Sequence, residues 1–245
     1  MPPPEMHPVG TSDYSDVSVV MITRNEEAAI ATVVDDCRAA LPGAEIVVVD
    51  GSEDKTAEIA TAHGARVIRE PGGGPAPALL AALKAPDRPI VGTIDADATY
   101  PTGVFPELVD LVRGGIDVAG TDRLGTRPLE TMPLQNWLAN VAFGALASAR
   151  ARRRLRDPHS GQRVYSARVI GRFDWDATGL AFPVDLLLWP GYAGCSIREV
   201  TIPYHERIGE TTLSRWPSGK QTLRRLLRGP AEMRRRVGWR SFGRP

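Results

Sequence analysis

The chain is predicted to be an α/β protein with an open, mostly parallel sheet covered by helices on both faces. Three observations predict it: short β-branched runs alternate with helical periodicity, the connections between them are short, and polar clusters recur where the apolar runs end. Val17–Ile22 reads as a buried strand bounded by turn residues, and Glu26 to Ala40 as a helix that stops at Leu41-Pro42-Gly43. Ile46–Val49 is a second strand, followed by a helix from Asp54 to His63 that Gly64 ends. Arg66–Ile68 makes a third strand, and Gly72-Gly73-Gly74 opens a loop before an Ala-rich helix from about Pro77 to Lys84. Ile90–Ile94 is a fourth strand, Phe105 to Arg113 a helix, and Asp117–Gly120 a fifth strand.

The second half has a different texture. Leu134, Trp137, Leu138 and Val141 recur at helical spacing, a stripe that continues through Ala145 and Leu146 into the basic run Arg150–Arg156. Core packing is the simpler reading of that stripe; an amphipathic helix against lipid headgroups is the alternative. Ile197–Pro203 reads as a late strand, with an antiparallel direction left open.

Composition excludes the disordered and fibrous classes, at 42% hydrophobic and 24% charged over 245 residues. The net charge of +1 hides an asymmetry. From Lys220 onward there are nine basic residues and one acid, so that segment carries +8 and the remainder −7. A basic segment on an acidic body points to an anionic surface as partner, with a solvated tail as the plain alternative. Cys37 and Cys195 sit in no metal-type spacing and suit a reducing compartment. No stretch approaches the roughly 18 apolar residues that span a bilayer, and the Pro-rich start has no apolar signal core. The expected organisation is a disordered tail over 1–16, one catalytic domain over 17–214, and a helical, membrane-peripheral basic segment over 215–245. The expected location is cytoplasmic, at the inner face of the membrane.

Ligands of open parallel sheets sit beyond the carboxyl ends of the strands. Thr23-Arg24-Asn25-Glu26, Asp50-Gly51-Ser52 and Asp95-Ala96-Asp97 all fall at such ends. Two carboxylates one residue apart suit a hard cation that takes carboxylate and phosphate oxygens together. Asp50 can accept hydrogen bonds from a base or a ribose, while Asp54 can equally cap the following helix.

In order, the chain carries Met21-Ile22-Thr23-Arg24-Asn25-Glu26, Val49-Asp50-Gly51-Ser52, Asp95-Ala96-Asp97 and Gly120-Thr121-Asp122-Arg123. Asp157-Pro158-His159-Ser160-Gly161-Gln162-Arg163 and Glu199-Val200-Thr201-Ile202-Pro203-Tyr204-His205-Glu206-Arg207 follow. This series resembles family-2 glycosyltransferases of GT-A fold, with a Rossmann-like nucleotide-binding half. It is most similar to the dolichyl- and polyprenyl-phosphate sugar synthases and the related glucosyl-phosphoglycerate synthases.

The resemblance spans about Val17 to Ser214 and implies an inverting, Mg²⁺- or Mn²⁺-dependent transfer of a hexose from a UDP- or GDP-sugar. It implies that Asp50 contacts the nucleobase, that Thr23 and Glu26 close that pocket, and that Arg123 belongs to the donor side. Asp95 is implied on the ribose or sugar side and Asp97 on the metal. Asp185 is implied near the acceptor, as base or orienting group, and Arg163 and Arg207 as phosphate-holding cations. His159 and His205 are read as structural. The acceptor is expected to be a polyprenyl phosphate, or alternatively a soluble phosphorylated acid or natural-product intermediate. Nucleotidyl transfer and nucleic-acid binding are the weaker rivals, the latter because no aromatic–basic platform is present.

Three departures from the family pattern stand out. Gly51 replaces a second acid, Pro75-Ala76-Pro77 replaces a basic residue, and Gly209-Glu210-Thr211-Thr212 lacks a loop Lys for which Arg215 is the candidate substitute.

Overall fold

The computed structural model describes residues 13–209 and 215–236, the side chains of 215–218, 230 and 232–236 aside. The expected tail over 1–12, the Glu210–Ser214 loop with the Arg215 side chain, and residues 237–245 lie outside them. Along the chain the elements are β1 (Val17–Thr23), α1 (Ile30–Ala40), β2 (Glu45–Asp50), α2 (Thr56–Ala62), β3 (Arg66–Arg69), α3 (Pro75–Lys84) and β4 (Ile90–Thr93). They continue with α4 (Phe105–Arg113), β5 (Val118–Asp122), α5 (Leu134–Ala151), β6 (Arg163–Ser166), α6 (Ala167–Arg172), α7 (Phe182–Tyr192), β7 (Ile197–Thr201) and α8 (Arg215–Arg236).

The strands form one sheet in the order β3-β2-β1-β4-β6-β5-β7. Six run the same way, and only β6 is antiparallel, to both of its neighbours β4 and β5. β7 pairs parallel to β5, which settles the direction the sequence left open. β6 was not expected as a strand; its four residues are too few to show a period.

Continuous β-branched runs arise because helices cover both faces. Val17, Val19 and Met21 of β1 pack with Ile30 and Val34 of α1 and Phe105 and Leu108 of α4. Val20 faces the other way, into a core with Leu83 of α3, Tyr165 of β6, Leu187 and Trp189 of α7, and Leu226 of α8. Residues 13–16 do not hang free: Tyr14 is buried in the first core, beneath the Arg113 guanidinium.

Three helix boundaries differ from expectation for local reasons. α1 starts at Ile30, not Glu26, because Asn25 is left-handed (φ 58) and the N–H groups of Asn25 and Glu26 donate to Ser52 Oγ and Thr56 Oγ1. α2 starts at Thr56 because the Asp54 carboxylate folds over its first turn, accepting from the Thr56 N–H at 2.9 Å. α5 ends at Ala151 instead of running into Arg156. Arg152 is left-handed (φ 53), and Ser148 Oγ accepts from the Leu155 N–H and donates to the Leu155 carbonyl as the chain folds back. The crossing point is Gly144, where a Cβ would lie 2.2 Å from the Arg156 carbonyl oxygen.

The core-packing reading of the α5 stripe is also corrected. Leu134, Leu138 and Val141 are exposed, and Trp137 is half-buried with its indole N–H donating to the Leu124 carbonyl. The basic segment, by contrast, is not merely solvated. α8 lies against α5 and α7 with Thr222 and Leu226 fully buried.

Candidate functional site

β1 and β2 pair in register, so Thr23 lies opposite Asp50 at their carboxyl ends. Thr23 Oγ1 donates to Asp50 Oδ1 at 2.7 Å, and Ser52 adds its hydroxyl at 2.6 Å and its N–H at 3.2 Å. Asp50 is thereby buried, with three of the roughly four acceptor positions of a carboxylate already filled. Asn25 ties the two loops together, accepting from the Glu53 N–H at 3.0 Å.

Beyond β4 the triplet divides. Asp95 opens onto the cleft, whereas Asp97 is buried. Asp97 Oδ1 accepts from Thr99 Oγ1 at 2.6 Å, in a turn whose middle residue, Ala98, is left-handed (φ 61). Such a conformation costs a non-glycine residue about 1–2 kcal/mol, which the flanking contacts must offset. Arg207 closes the corner, with Nη1 3.1 Å from Asp97 Oδ2 and Nη2 bonded to Glu26 Oε1.

These residues surround a cleft of about 440 Å³, lined by Thr23, Glu26, Glu70, Asp95, Asp97 and Arg207 among others. A second, more apolar cavity of about 270 Å³ shares Ile22, Pro75, Asp95 and Leu180 with it and adds His159, Gly161 and Val184. Asp95 is therefore the acid common to both. Gly161 leaves room for it, since a Cβ there would sit 2.4 Å from Asp95 Oδ1. Desolvation by the cleft walls, and then the charge of Asp97 beside it, push its carboxyl up to about 6. Burial likewise raises Glu26, against the opposing pull of Arg207.

Four of the implied roles do not fit the geometry as expected. Arg163 is fully buried, and its guanidinium donates to the carbonyls of Pro183 (2.7 Å), Pro158 (2.6 Å) and Asp157 (3.4 Å); it ties β6 to α7 and to the loop before it. Arg123 forms a two-pronged pair with Asp157, Nε–Oδ2 2.6 Å and Nη2–Oδ1 2.9 Å, beside the rings of Tyr100 and Tyr204. Burial alone would raise the Asp157 carboxyl; Arg123 more than reverses that and holds it low. Asp185 is fully buried at the start of α7 and its carboxylate is bound by Arg225 of α8, away from both cavities. It is not placed to act as a base. Asp50 does not line the cleft itself and reaches it through Thr23.

His159 is held as a structural residue: Nε2 lies 2.9 Å from Thr222 Oγ1, and burial pushes the ring down to about 4. The sequence reading missed Glu199, which accepts the N–H groups of Arg156 and Asp157, and Glu70. Glu70 stands at the end of β3, and its Oε2 lies 2.0 Å from where a Gly51 Cβ would be. An acid from β3 thus fills the space beside Asp50 where the second acid of the family pattern is missing. No spacing rule reveals this, because β2 and β3 are joined only by their parallel register.

The arrangement fits one kind of metal site. Among the described residues no cluster of three or more His, Cys, Asp or Glu can cage a metal alone. Mg²⁺ and Mn²⁺ bound with a diphosphate need only one or two protein carboxylates, and Asp97, with Asp95 alongside, would provide them.

Residues 18–172 match the model of Glycosyl transferase family 2. The dolichyl-phosphate hexose transferase of Haloferax volcanii is 42% identical over 226 residues, 91% of this chain and 98% of that protein. A low-salt glycan biosynthesis hexosyltransferase of the same organism is 35% identical over 86% of this chain and 53% of its own length. Glucosyl-3-phosphoglycerate synthase from Mycobacterium tuberculosis, solved with Mn²⁺, UDP and glucosyl-3-phosphoglycerate, superposes with a TM-score of 0.67 and 27% identity, covering 89% of this chain and 80% of that one. A shared sheet, a polar cleft at the carboxyl ends of its strands and a family match over more than half the residues lead to one conclusion: the chain belongs to glycosyl transferase family 2.

Proposed function

We propose that this protein transfers a hexose from a nucleoside-diphosphate sugar to a phosphate-bearing acceptor, with inversion and with help from a divalent cation. The observation that carries the reading is the convergence of Thr23, Glu26, Asp95, Asp97 and Arg207 on one cleft beyond β1, β2 and β4. Breaking the bond from the anomeric carbon to a diphosphate builds negative charge on the leaving oxygen. Arg207 is the cation already held at that corner, and its planar fork matches two phosphate oxygens at once. When bound, the metal carried by Asp97 supplies further charge stabilisation to the diphosphate. Asp95 reaches both cavities and orients the sugar between donor and acceptor sides. With Asp185 held by Arg225, the carboxylate that faces both cavities, and so the one a hydroxyl acceptor would meet, is Asp95. A phosphate acceptor is ionised already and needs no base, which favours direct displacement.

A phosphate-bearing molecule besides the nucleotide is named for two of the similar proteins. The mycobacterial enzyme, by its description, binds glucosyl-3-phosphoglycerate, a glucosyl derivative of a soluble phosphorylated acid, and its likeness in fold favours a soluble acceptor here. The Haloferax relative is named for a lipid phosphate, and its identity along nearly its whole length favours polyprenyl phosphate as the second reading.

Labelled UDP- and GDP-sugars, with Mn²⁺, Mg²⁺ or chelator, are offered with 3-phosphoglycerate or a short polyprenyl phosphate, and the label is partitioned between butanol and water. Label in an aqueous glycosyl phosphoglycerate supports the soluble acceptor, and label in butanol the lipid. Metal-dependent transfer to neither sinks the reading. Arg207→Ala is expected to lower turnover by on the order of 10²-fold or more.

A further inference from the structure

We propose that the outer faces of α5 and α8 together form a docking surface for an anionic lipid bilayer, lying on it without crossing it. Seven large hydrophobic side chains are exposed among the described residues, and five of them stand on these two helices. Leu134, Leu138 and Val141 of α5 are 55%, 52% and 38% exposed, and Leu223 and Leu227 of α8 are 44% and 53% exposed. Their spacing at intervals of three and four places each set along one helical face.

The two helices lie side by side. The Phe143 ring is 5.4 Å from that of His159, which meets Thr222, and further on Arg150 Nη2 donates to the Leu227 carbonyl at 2.9 Å. Both pairs step forward along both helices, so α5 and α8 run in the same direction.

Charge identifies the occupant. Residues 134–151 contain no acid, and residues 215–236 contain one, Glu232, against eight Lys and Arg. Exposed Lys220, Arg224 and Arg228 stand among the leucines of α8, and Arg152 and Arg154 are exposed just past the end of α5. Apolar side chains interleaved with an excess of cations are complementary to anionic headgroups over an acyl layer. A second copy of the chain on this face would set its own cations against these, which disfavours self-association. No helix of the described residues is long and apolar enough to cross a membrane, so the contact is peripheral. The proposal does not depend on which acceptor the cleft takes.

The test uses the full chain and sedimentation with vesicles of phosphatidylcholine, alone or mixed with phosphatidylglycerol. Binding is expected to the mixed vesicles, to be weak on phosphatidylcholine alone, and to fall as salt rises from about 0.1 M to about 1 M. Leu138→Glu combined with Leu227→Glu is expected to weaken partitioning by on the order of tenfold or more, with thermal midpoint and UDP binding unchanged. Arg224→Glu with Arg228→Glu is expected to remove the preference for anionic lipid. Absence of binding to the mixed vesicles overturns the proposal, as does a leucine double variant that binds like the parent. Sedimentation velocity showing a dimer that this variant dissociates, without vesicle binding, assigns the face to a second copy and also overturns it.

Discussion

Asp95 is open to the cleft while Asp97, two residues on, is held by Thr99 and Arg207, and this difference separates what each can do. Desolvation first, and then the charge of Asp97, push the Asp95 carboxyl up to about 6 from the usual 3.9 or so. Below about pH 4 both the folded and unfolded chains carry its proton. Between about 4 and 6 the unfolded chain loses the proton first, so the contribution of Asp95 to stability falls as pH rises and levels off above 6. Donor binding that needs the ionised carboxylate rises over the same window. Asp97→Asn is expected to move the Asp95 midpoint down toward its ordinary range, read by carboxyl NMR titration; an unmoved midpoint removes the coupling. Gly51 makes a second case. A side chain there meets the flexible end of Glu70, so Gly51→Ala is expected to leave the denaturant midpoint nearly unchanged, within about 1 kcal/mol, while evicting the Glu70 carboxylate and altering affinity for the nucleoside diphosphate. Calorimetric titration with UDP and GDP checks it. The strand-end acids Asp95 and Asp97 were legible in the sequence because strand-end position is a local property. The buried partners of Arg123, Arg163 and Asp185 were not legible, because a guanidinium or carboxylate reads the same in sequence whether it faces a ligand or a buried partner.

At the scale of elements, short β-branched runs and their intervening helices were readable for the first half, where each strand is followed by its own covering helix. Legibility failed where pairing is non-local. β6 is four residues long and is inserted between β4 and β5, and α5 bears Leu134, Leu138 and Val141 outward, against the rule that usually assigns them to a core. Arg225 shows what the sequence could not. It leaves α8 to bind Asp185 on α7 and the Thr178 carbonyl and hydroxyl in the loop before it. Removing the guanidinium takes a charge partner from the buried Asp185 carboxylate, at a cost of up to about 3–5 kcal/mol. Arg225→Ala is expected to lose that much in urea unfolding, and Arg225→Lys less. A loss below about 1 kcal/mol would show that the pair is solvated.

For the whole molecule, α8 is both an outer surface and an inner brace. Gln221 accepts the Leu180 N–H at 2.8 Å, Thr222 meets His159, and Arg225 holds Asp185, while Leu180 lines both cavities. Ending the chain after residue 214 is therefore expected to lower the thermal midpoint and weaken nucleotide binding together, measured by calorimetry and titration. Unchanged values in the shortened protein would detach α8 from the site. Truncation cannot isolate a lipid-binding role for this helix, whereas outward-facing substitutions can. The brace also carries a consequence in time. A ribosome delivers residues in order at about 5–20 per second, and β1 through β7 emerge before the helix that fixes the loop between α6 and α7. The sheet and the acids of the cleft can assemble during synthesis, but the wall formed by Leu180 is set only when α8 arrives. The nascent protein thus passes through a stage that is folded but not yet competent, and the same late segment that finishes the cleft presents the leucines and arginines of its outer face.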